Sequence, residues 1–321
     1  MNLGIIGSGL IVKEFLSISH NLTDIKILAL LSRPESIQKN QILCDKYHIR
    51  HLYTDYSTLL SNPEIDTVYV ALPNHLHFEF SLKALTQGKH VICEKPFTIT
   101  ANEAIRLKEA SIIHNRMIVE AISTVYLQNY LEIKKCLLNK EIGDVKIITC
   151  NFSKISSRYE DFKANHILPV FDPKMYGGAL MDLNCYNLHF VVGIFGQPQR
   201  IVYFPNISKS IDTSGVLLLD YPNFTCTCTA AKDSNALSGI EIQSDEGRIH
   251  VKSPSSLIES YTLTDKTATS KEYNYNLYEH RMVNTFVQIT NMIKNNNTSL
   301  CHEMLDHSIR IVKILEEARI Y

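Results

Sequence analysis

The sequence has no surplus of charge of either sign. Its 32 Lys and Arg residues are matched by 33 Asp and Glu, a formal net charge of -1. No basic cluster breaks that balance, so the electrostatic footprint required for nucleic acid or an anionic membrane surface is missing. Long apolar runs are missing too. The longest lies around Ile25 to Leu31, far short of the roughly 20 residues that cross a bilayer. The opening MNLGIIGSGL has neither a basic segment nor a small-residue cleavage site; no secretory leader and a cytoplasmic location are expected. There is no internal repeat and no low-complexity linker. The eight cysteines are scattered, and reduced thiols are expected. Cys226 and Cys228 form C-x-C within the strand-like FTCTCTA and share one face, which packing explains. No further ligands stand at metal-site spacings, so no metal is predicted.

What is present is an ordinary globular composition, 45% hydrophobic and 20% charged, in 321 residues, enough for two domains. The first third alternates short apolar runs with amphipathic stretches. LGII (3–6), KILALL (26–31), TVYVAL (67–72), HVIC (90–93) and MIVEA (117–121) read as strands. Such alternation predicts a parallel sheet covered on both faces. The pattern changes after residue 121. A helix over 126–138 and a strand over 145–152 precede a loop over 153–176. A helix at GGALMDLNCYNLHF follows, then closely spaced strands RIVYF, GVLLLDY, FTCTCTAA, GIEIQS and GRIHV, and two closing helices near 278–294 and 302–320. The expected architecture is α/β: a doubly wound parallel sheet over 1–121 and an α+β domain over 122–321 with an open, mostly antiparallel sheet.

The turn Gly4-Ile5-Ile6-Gly7-Ser8-Gly9-Leu10-Ile11-Val12 joins the first strand to the first helix. Gly7-x-Gly9-x-x-Val12 is the dinucleotide fingerprint with its third glycine replaced. Gly7 permits the tight turn and Gly9 lets backbone approach a pyrophosphate at the helix N-terminus. Gly7, Ser8, Gly9, Leu10 and Ile11 are therefore predicted to bind cofactor. The second strand ends at Ser32-Arg33, where an NAD site would carry an acidic residue; a hydroxyl and a guanidinium suit a 2′-phosphate, and NADP(H) is predicted over NAD(H). Leu72, Pro73, Asn74 and His77 close the fourth strand and Glu94 and Lys95 the fifth, positions that line a nucleotide crevice. Asn74 can alternatively cap the next helix. Pro96 bars Lys95 from helical geometry, and the bond between them can be cis.

In GGALMDLNCYNLHF, Asp182, Tyr186 and His189 follow at spacings of four and three, which a helix brings to one face. A carboxylate, a phenol and an imidazole on an otherwise apolar stripe form either a buried structural network or a proton-transfer site.

Taken in order, G-x-G-x-x, Ser-Arg, Pro-Asn-His-x-His, Glu-Lys-Pro, Glu-Ala and Gly-Gly-Ala-Leu-x-Asp-x-x-x-Tyr resemble the glucose–fructose oxidoreductase, inositol dehydrogenase and MocA (Gfo/Idh/MocA) family over nearly the whole chain. The Asp-x-x-x-Tyr spacing is similar to the branch that includes the dimeric dihydrodiol dehydrogenases. The resemblance implies a Rossmann domain, a C-terminal domain whose open sheet forms a homodimer or homotetramer, and a small-molecule substrate. It implies that Lys95 polarises the substrate oxygen and that Asp182 and Tyr186 orient substrate and carry the acid/base role. Tyrosine, with an unperturbed pKa of about 10, is a poor base at neutral pH; a lysine cation beside it would favour the phenolate. His166 and His189 are candidate substrate ligands. The sequence departs from the family at Asn184, at His189, over Ser123–Gln128 and at Pro169, all in the substrate half.

The expected activity is NAD(P)-dependent hydride transfer to or from a carbinol carbon of a sugar, polyol or small diol. The alternatives are a non-catalytic NAD(P)-binding sensor of the same fold and an enzyme that uses the cofactor transiently to cleave a glycosidic bond.

Overall fold

A computed structural model describes residues 1–319. The chain forms two compact units. The first comprises Met1–Ala121 and Thr285–Ile309, the second Ile122–Asn284 and the residues from Arg310 onward.

The first unit carries six strands: β1 (Asn2–Ile6), β2 (Lys26–Leu31), β3 (His51–Tyr53), β4 (Thr67–Val70), β5 (His90–Cys93) and β6 (Ile118–Glu120). Their order is β3-β2-β1-β4-β5-β6, with every pairing parallel. The expected parallel, doubly wound sheet is present, with its order reversing beside β1, where such folds bind nucleotides. Strands β1 and β4 are apolar because both faces are covered: Leu3, Ile5, Ile6, Val68, Tyr69 and Val70 are fully buried. The three residues of β3 had no sequence signal. The rings of Phe15, Tyr69 and Phe286 pack at centroid separations of 4.5–5.3 Å, pairs that each contribute about 0.5–1.5 kcal/mol beyond area burial. Phe286 belongs to the helix Arg281–Lys294. The Cys301 thiol donates to the Ile118 carbonyl and Lys108 pairs with Asp306. These contacts fasten the 285–309 segment to the first unit.

The second unit is built on eight strands: β7 (Val145–Ser153), β8 (Arg200–Ser208), β9 (Ile211–Asp220), β10 (Thr225–Ala231), β11 (Gly239–Ser244), β12 (Gly247–Val251), β13 (Tyr261–Asp265) and β14 (Ser270–Tyr273). Their order is β14-β13-β12-β11-β7-β10-β9-β8, antiparallel throughout except β7 with β10. The expected open, mostly antiparallel sheet is thus present, extended by the β13–β14 hairpin, whose polar sequences YTLTD and SKEY gave no apolar alternation. One sheet face carries Ile148, Cys150, Leu217, Leu219, Cys226 and Cys228, all fully buried. The segment read as a loop over 153–176 contains a short helix, Tyr159–Lys163, and two 3-10 turns. The last helix runs Thr298–Ala318; the predicted end at Ile320 lies outside the described residues.

Candidate functional site

The turn after β1 is shaped by two glycines with different reasons. Gly7 has φ +116°, and a Cβ there would lie 2.4 Å from the Ala71 carbonyl oxygen, so only glycine fits. Gly9 is extended, at φ -72° and ψ -169°, and a Cβ there would meet nothing within 4 Å. Protein packing therefore places no demand on glycine at position 9; the open space above it is what close approach of a pyrophosphate needs. Gly9 also precedes the helix Leu10–Ser17, whose first turn has no side-chain cap and no acidic residue. Its N–H groups and positive dipole end suit an anion. Leu10 is exposed and Ser8 and Ile11 are half-buried.

At the end of β2, Ser32 is only 3% exposed. Its hydroxyl donates to the Arg33 carbonyl and accepts from Asn40 Nδ2 at 2.8 Å, while the same amide reaches Ser8 Oγ at 3.1 Å. The Ser32 hydroxyl thus holds this turn. Asn40, which the sequence did not single out, links the β2 end to the glycine turn. The Arg33 side chain is 84% exposed, with Glu35 at 3.6 Å; such a pair is weak and readily exchanged for a phosphate.

Beside β1, Val70 of β4 pairs with Cys93 of β5, and Cys93 with Glu120 of β6. The chain therefore leaves neighbouring strand ends at Leu72-Pro73-Asn74 and Glu94-Lys95-Pro96. The Tyr69 hydroxyl donates to Glu94 Oε1 at 2.5 Å, and Glu94 Oε2 accepts from the Lys95 backbone N–H. Glu94 is buried and Lys95 half-buried; the Lys95–Pro96 bond is cis. His77 is fully buried, with Nδ1 2.9 Å from the Pro96 carbonyl oxygen and Nε2 2.8 Å from that of Leu72. The ring lies between the two loops, and in its neutral form donates its single N–H to one of these carbonyls. Burial depresses its pKa, while the two carbonyls and nearby Glu120 pull it upward. Asn74 opens a 3-10 turn, Asn74–Leu76, directly before the helix His77–Thr86.

In the second unit, Gly177 and Gly178 bring the chain onto its neighbours. A Cβ on Gly178, at φ +97°, would lie 1.9 Å from Asp212 Oδ1. Asp212, fully buried, accepts from the Leu180 N–H and the Tyr203 hydroxyl and so anchors the start of the helix. That helix opens with a π-helical turn, Leu180–Asn184, before the α-helix Cys185–Phe195. Asp182 lies in the wider turn and Tyr186 just beyond it. Such turns are often found at functional positions.

Asp182 is 30% exposed, and its Oδ2 accepts from Lys232 Nζ at 2.7 Å. Lys232 itself is only 2% exposed; sequence alone cannot tell it from a surface lysine. Tyr186 is buried, its ring 5.8 Å from that of Phe152. Asn184 Nδ2 donates to the Cys228 carbonyl, and Asn187 Nδ2 donates to Asn184 Oδ1 and the Thr229 carbonyl, so these amides hold the helix to β10. His189 is wholly buried in the helix and is out of reach of a solute in this conformation. His166 stands on a loop, 70% exposed, beside Asp161. The polar stripe thus divides: Asp182 reaches solvent, Tyr186 sits just beneath the surface, and His189 lies in the core.

Cys150, Cys226 and Cys228 converge with their sulfurs within 4.8 Å of one another, because Cys150 and Cys228 are register partners. The shared face expected of Cys226 and Cys228 is observed, with sulfurs 3.7 Å apart. Burial pushes the Cys226 thiol well above its ordinary pKa. No helix among the described residues is long and apolar enough to cross a membrane.

Residues 1–121 match the family model described as "Oxidoreductase family, NAD-binding Rossmann fold", and residues 130–250 that of the GFO/IDH/MocA C-terminal domain. The scyllo-inositol 2-dehydrogenase (NADP(+)) IolU of Bacillus subtilis (strain 168) is 28% identical over 327 residues, covering 98% of this chain and 95% of the relative. A trans-1,2-dihydrobenzene-1,2-diol dehydrogenase of Xenopus tropicalis is 28% identical over 223 residues, 68% of this chain and 64% of the relative. Among solved structures, KijD10, a 3-ketoreductase from Actinomadura kijaniata in complex with NADP and TDP-benzene, superposes with a TM-score of 0.86 at 18% identity, over 99% of this chain and 97% of that one. At that identity the likeness is one of fold.

Proposed function

The chain belongs to the Gfo/Idh/MocA oxidoreductase family, and we propose that within it the protein is an NADP(H)-dependent dehydrogenase of a ring polyol or small cyclic diol. The family chemistry is NAD(P)-dependent redox at a carbinol or carbonyl carbon. NADP(H), when bound, supplies or accepts the hydride. The open space above Gly9 carries the cofactor reading. Arg33, exposed where an NAD site would present a carboxylate, supports NADP(H), as does the name of the IolU relative.

Roles follow residue by residue. The backbone of Gly7 to Ile11 receives the pyrophosphate and Arg33 the 2′-phosphate, with Ser32 holding the Arg33 turn. Leu72, Pro73, Asn74 and Glu94 line the crevice, and His77 braces their loops. Lys95, on a turn fixed by the Tyr69–Glu94 bond, donates to the substrate oxygen and stabilises negative charge as its proton leaves. Tyr186 exchanges that proton, and Asp182 accepts from a second substrate hydroxyl. His189 and His166 take no part, the first for its burial and the second for its exposure.

Residues 1–121 hold the cofactor; the residues from 122 bind substrate and pair subunits. The second face of the large sheet supports pairing. Phe204, Val216 and Thr229 lie in register across β8, β9 and β10, as do Val202, Leu218 and Thr227. Phe204 and Ile147 are exposed, and a second copy through this sheet would cover them.

The test is a fluorescence titration of nucleotide-free protein with NADPH and NADH, followed by turnover of scyllo-inositol with NADP+. NADPH binding at least tenfold tighter than NADH, lost in Arg33→Ala, supports the cofactor assignment. Equal affinities refute it. Tight NADPH binding without turnover of scyllo-inositol or any cyclic diol favours the sensor.

A further inference from the structure

We propose that Lys232 is a positioning residue for this reaction, fixing the Asp182 carboxylate in its ionised form and its orientation at the start of the helix that carries Tyr186. The inference rests on the reading of Asp182 as a substrate-orienting group.

A lysine ammonium withdrawn from water costs several kcal/mol unless its charge and donors are met. Lys232 is 2% exposed, and its Nζ donates to Asp182 Oδ2 at 2.7 Å and to the Val170 carbonyl at 2.8 Å. It also lies 4.7 Å from the centroid of the Phe171 ring, a cation–π contact. Its backbone is equally constrained: directly after β10, the Lys232 N–H donates to the Thr213 carbonyl at 2.8 Å. The Val170 carbonyl accepts from Gly178 N–H as well. One ammonium thus joins the end of β10, the 169–171 turn and the π-helical turn.

This arrangement exceeds what holding the fold requires. The Gly177–Gly178 turn already has its own bonds to the 170–172 segment, and Asp212 already anchors the helix start. What Lys232 adds is a fixed cation against one oxygen of a partly exposed carboxylate. The charge favours the ionised form. The bond to Oδ2 fixes the rotamer, so that the second oxygen has a defined direction. A carboxylate meant to accept from a substrate hydroxyl needs both properties.

The test uses the full chain with Lys232→Gln, Lys232→Arg and Asp182→Asn. With Asp side-chain carboxyls labelled with 13C, NMR identifies the Asp182 signal as the one missing from Asp182→Asn. We expect its titration midpoint to rise by about one unit or more in Lys232→Gln, with NADPH affinity unchanged. In scyllo-inositol oxidation the acid limb of kcat/KM should move up by the same amount. Lys232→Arg, which keeps the charge but not the geometry, should retain the midpoint yet lose at least tenfold in kcat/KM. It carries the test alone if the glutamine variant does not fold. An unmoved Asp182 midpoint in Lys232→Gln, or wild-type kcat/KM in Lys232→Arg, overturns the inference. Wild-type turnover in Asp182→Asn instead refutes the underlying reading of Asp182, whatever the lysine variants do.

Discussion

Replacing Gly9 and Gly7 by alanine, one at a time, separates cofactor binding from folding within a single turn. At Gly9 the backbone already has φ -72° and ψ -169°, and the added methyl meets no protein atom within 4 Å. Alanine there restricts the unfolded chain without strain, which stabilises by about 0.4–1 kcal/mol. The melting midpoint should hold or rise by about 1–4 °C. The methyl projects into the space assigned to the pyrophosphate, so the Kd for NADPH should rise at least tenfold, a loss of about 1.4 kcal/mol. At Gly7 the methyl would lie 2.4 Å from the Ala71 carbonyl oxygen at φ +116°. Backbone strain of about 1–3 kcal/mol and overpacking of about 1–3 kcal/mol predict destabilisation of ~2–6 kcal/mol. Circular dichroism melts and NADPH fluorescence titrations read both quantities. A stable Gly9→Ala chain that binds NADPH as tightly as the wild type refutes the placement of the pyrophosphate.

Gly178→Ala drives a methyl to 1.9 Å from Asp212 Oδ1 at φ +97° and should cost ~2–6 kcal/mol in a chemical-denaturation curve; a loss under 1 kcal/mol would show that the helix start is not held this way. His90 is kept below its ordinary pKa by burial and then by Arg116, and its Nδ1 accepts from the Met117 N–H at 3.0 Å, which requires an unprotonated nitrogen. The unfolded chain takes up this proton at about pH 6.5 before the folded one does, so stability is full above that pH and falls as pH drops below it. The melting midpoint should fall between pH 7.5 and 5.5, and by less in His90→Gln; an equal fall in both chains excludes His90 as a source. Removing the apolar outer sheet face with Phe204→Glu should shift the mass measured by light scattering toward the monomer, and an unchanged mass rules that face out as the subunit contact.

Much of this was legible because burial leaves a plain pattern. Strands β1, β2, β4 and β5 are covered on both faces and read as continuous apolar runs. β3 is too short to show a pattern, and β13 and the edge strand β14 have polar sequences. The π-helical turn was hidden because its period differs from the α-helix by less than one residue per turn, and five residues cannot distinguish them. The glycine turn, Arg33 and the Glu-Lys-Pro turn are local in sequence and stood out. Lys232, Asp212 and Asn40 each reach residues distant along the chain: Lys232 lies 50 positions from Asp182, Asp212 lies 32 from Leu180, and Asn40 lies 32 from Ser8. No local spacing records such pairings. The depth of His189 was hidden for a related reason. Helical spacing placed it with Asp182 and Tyr186, but the helix descends into the core over that turn.

The most direct test of the account is the turnover number of Lys95→Ala and Tyr186→Phe in scyllo-inositol oxidation, followed as NADPH absorbance at 340 nm with saturating NADP+. A loss of about a hundredfold or more is expected in each, with NADPH affinity in Tyr186→Phe unchanged. Near wild-type turnover in both variants would contradict it.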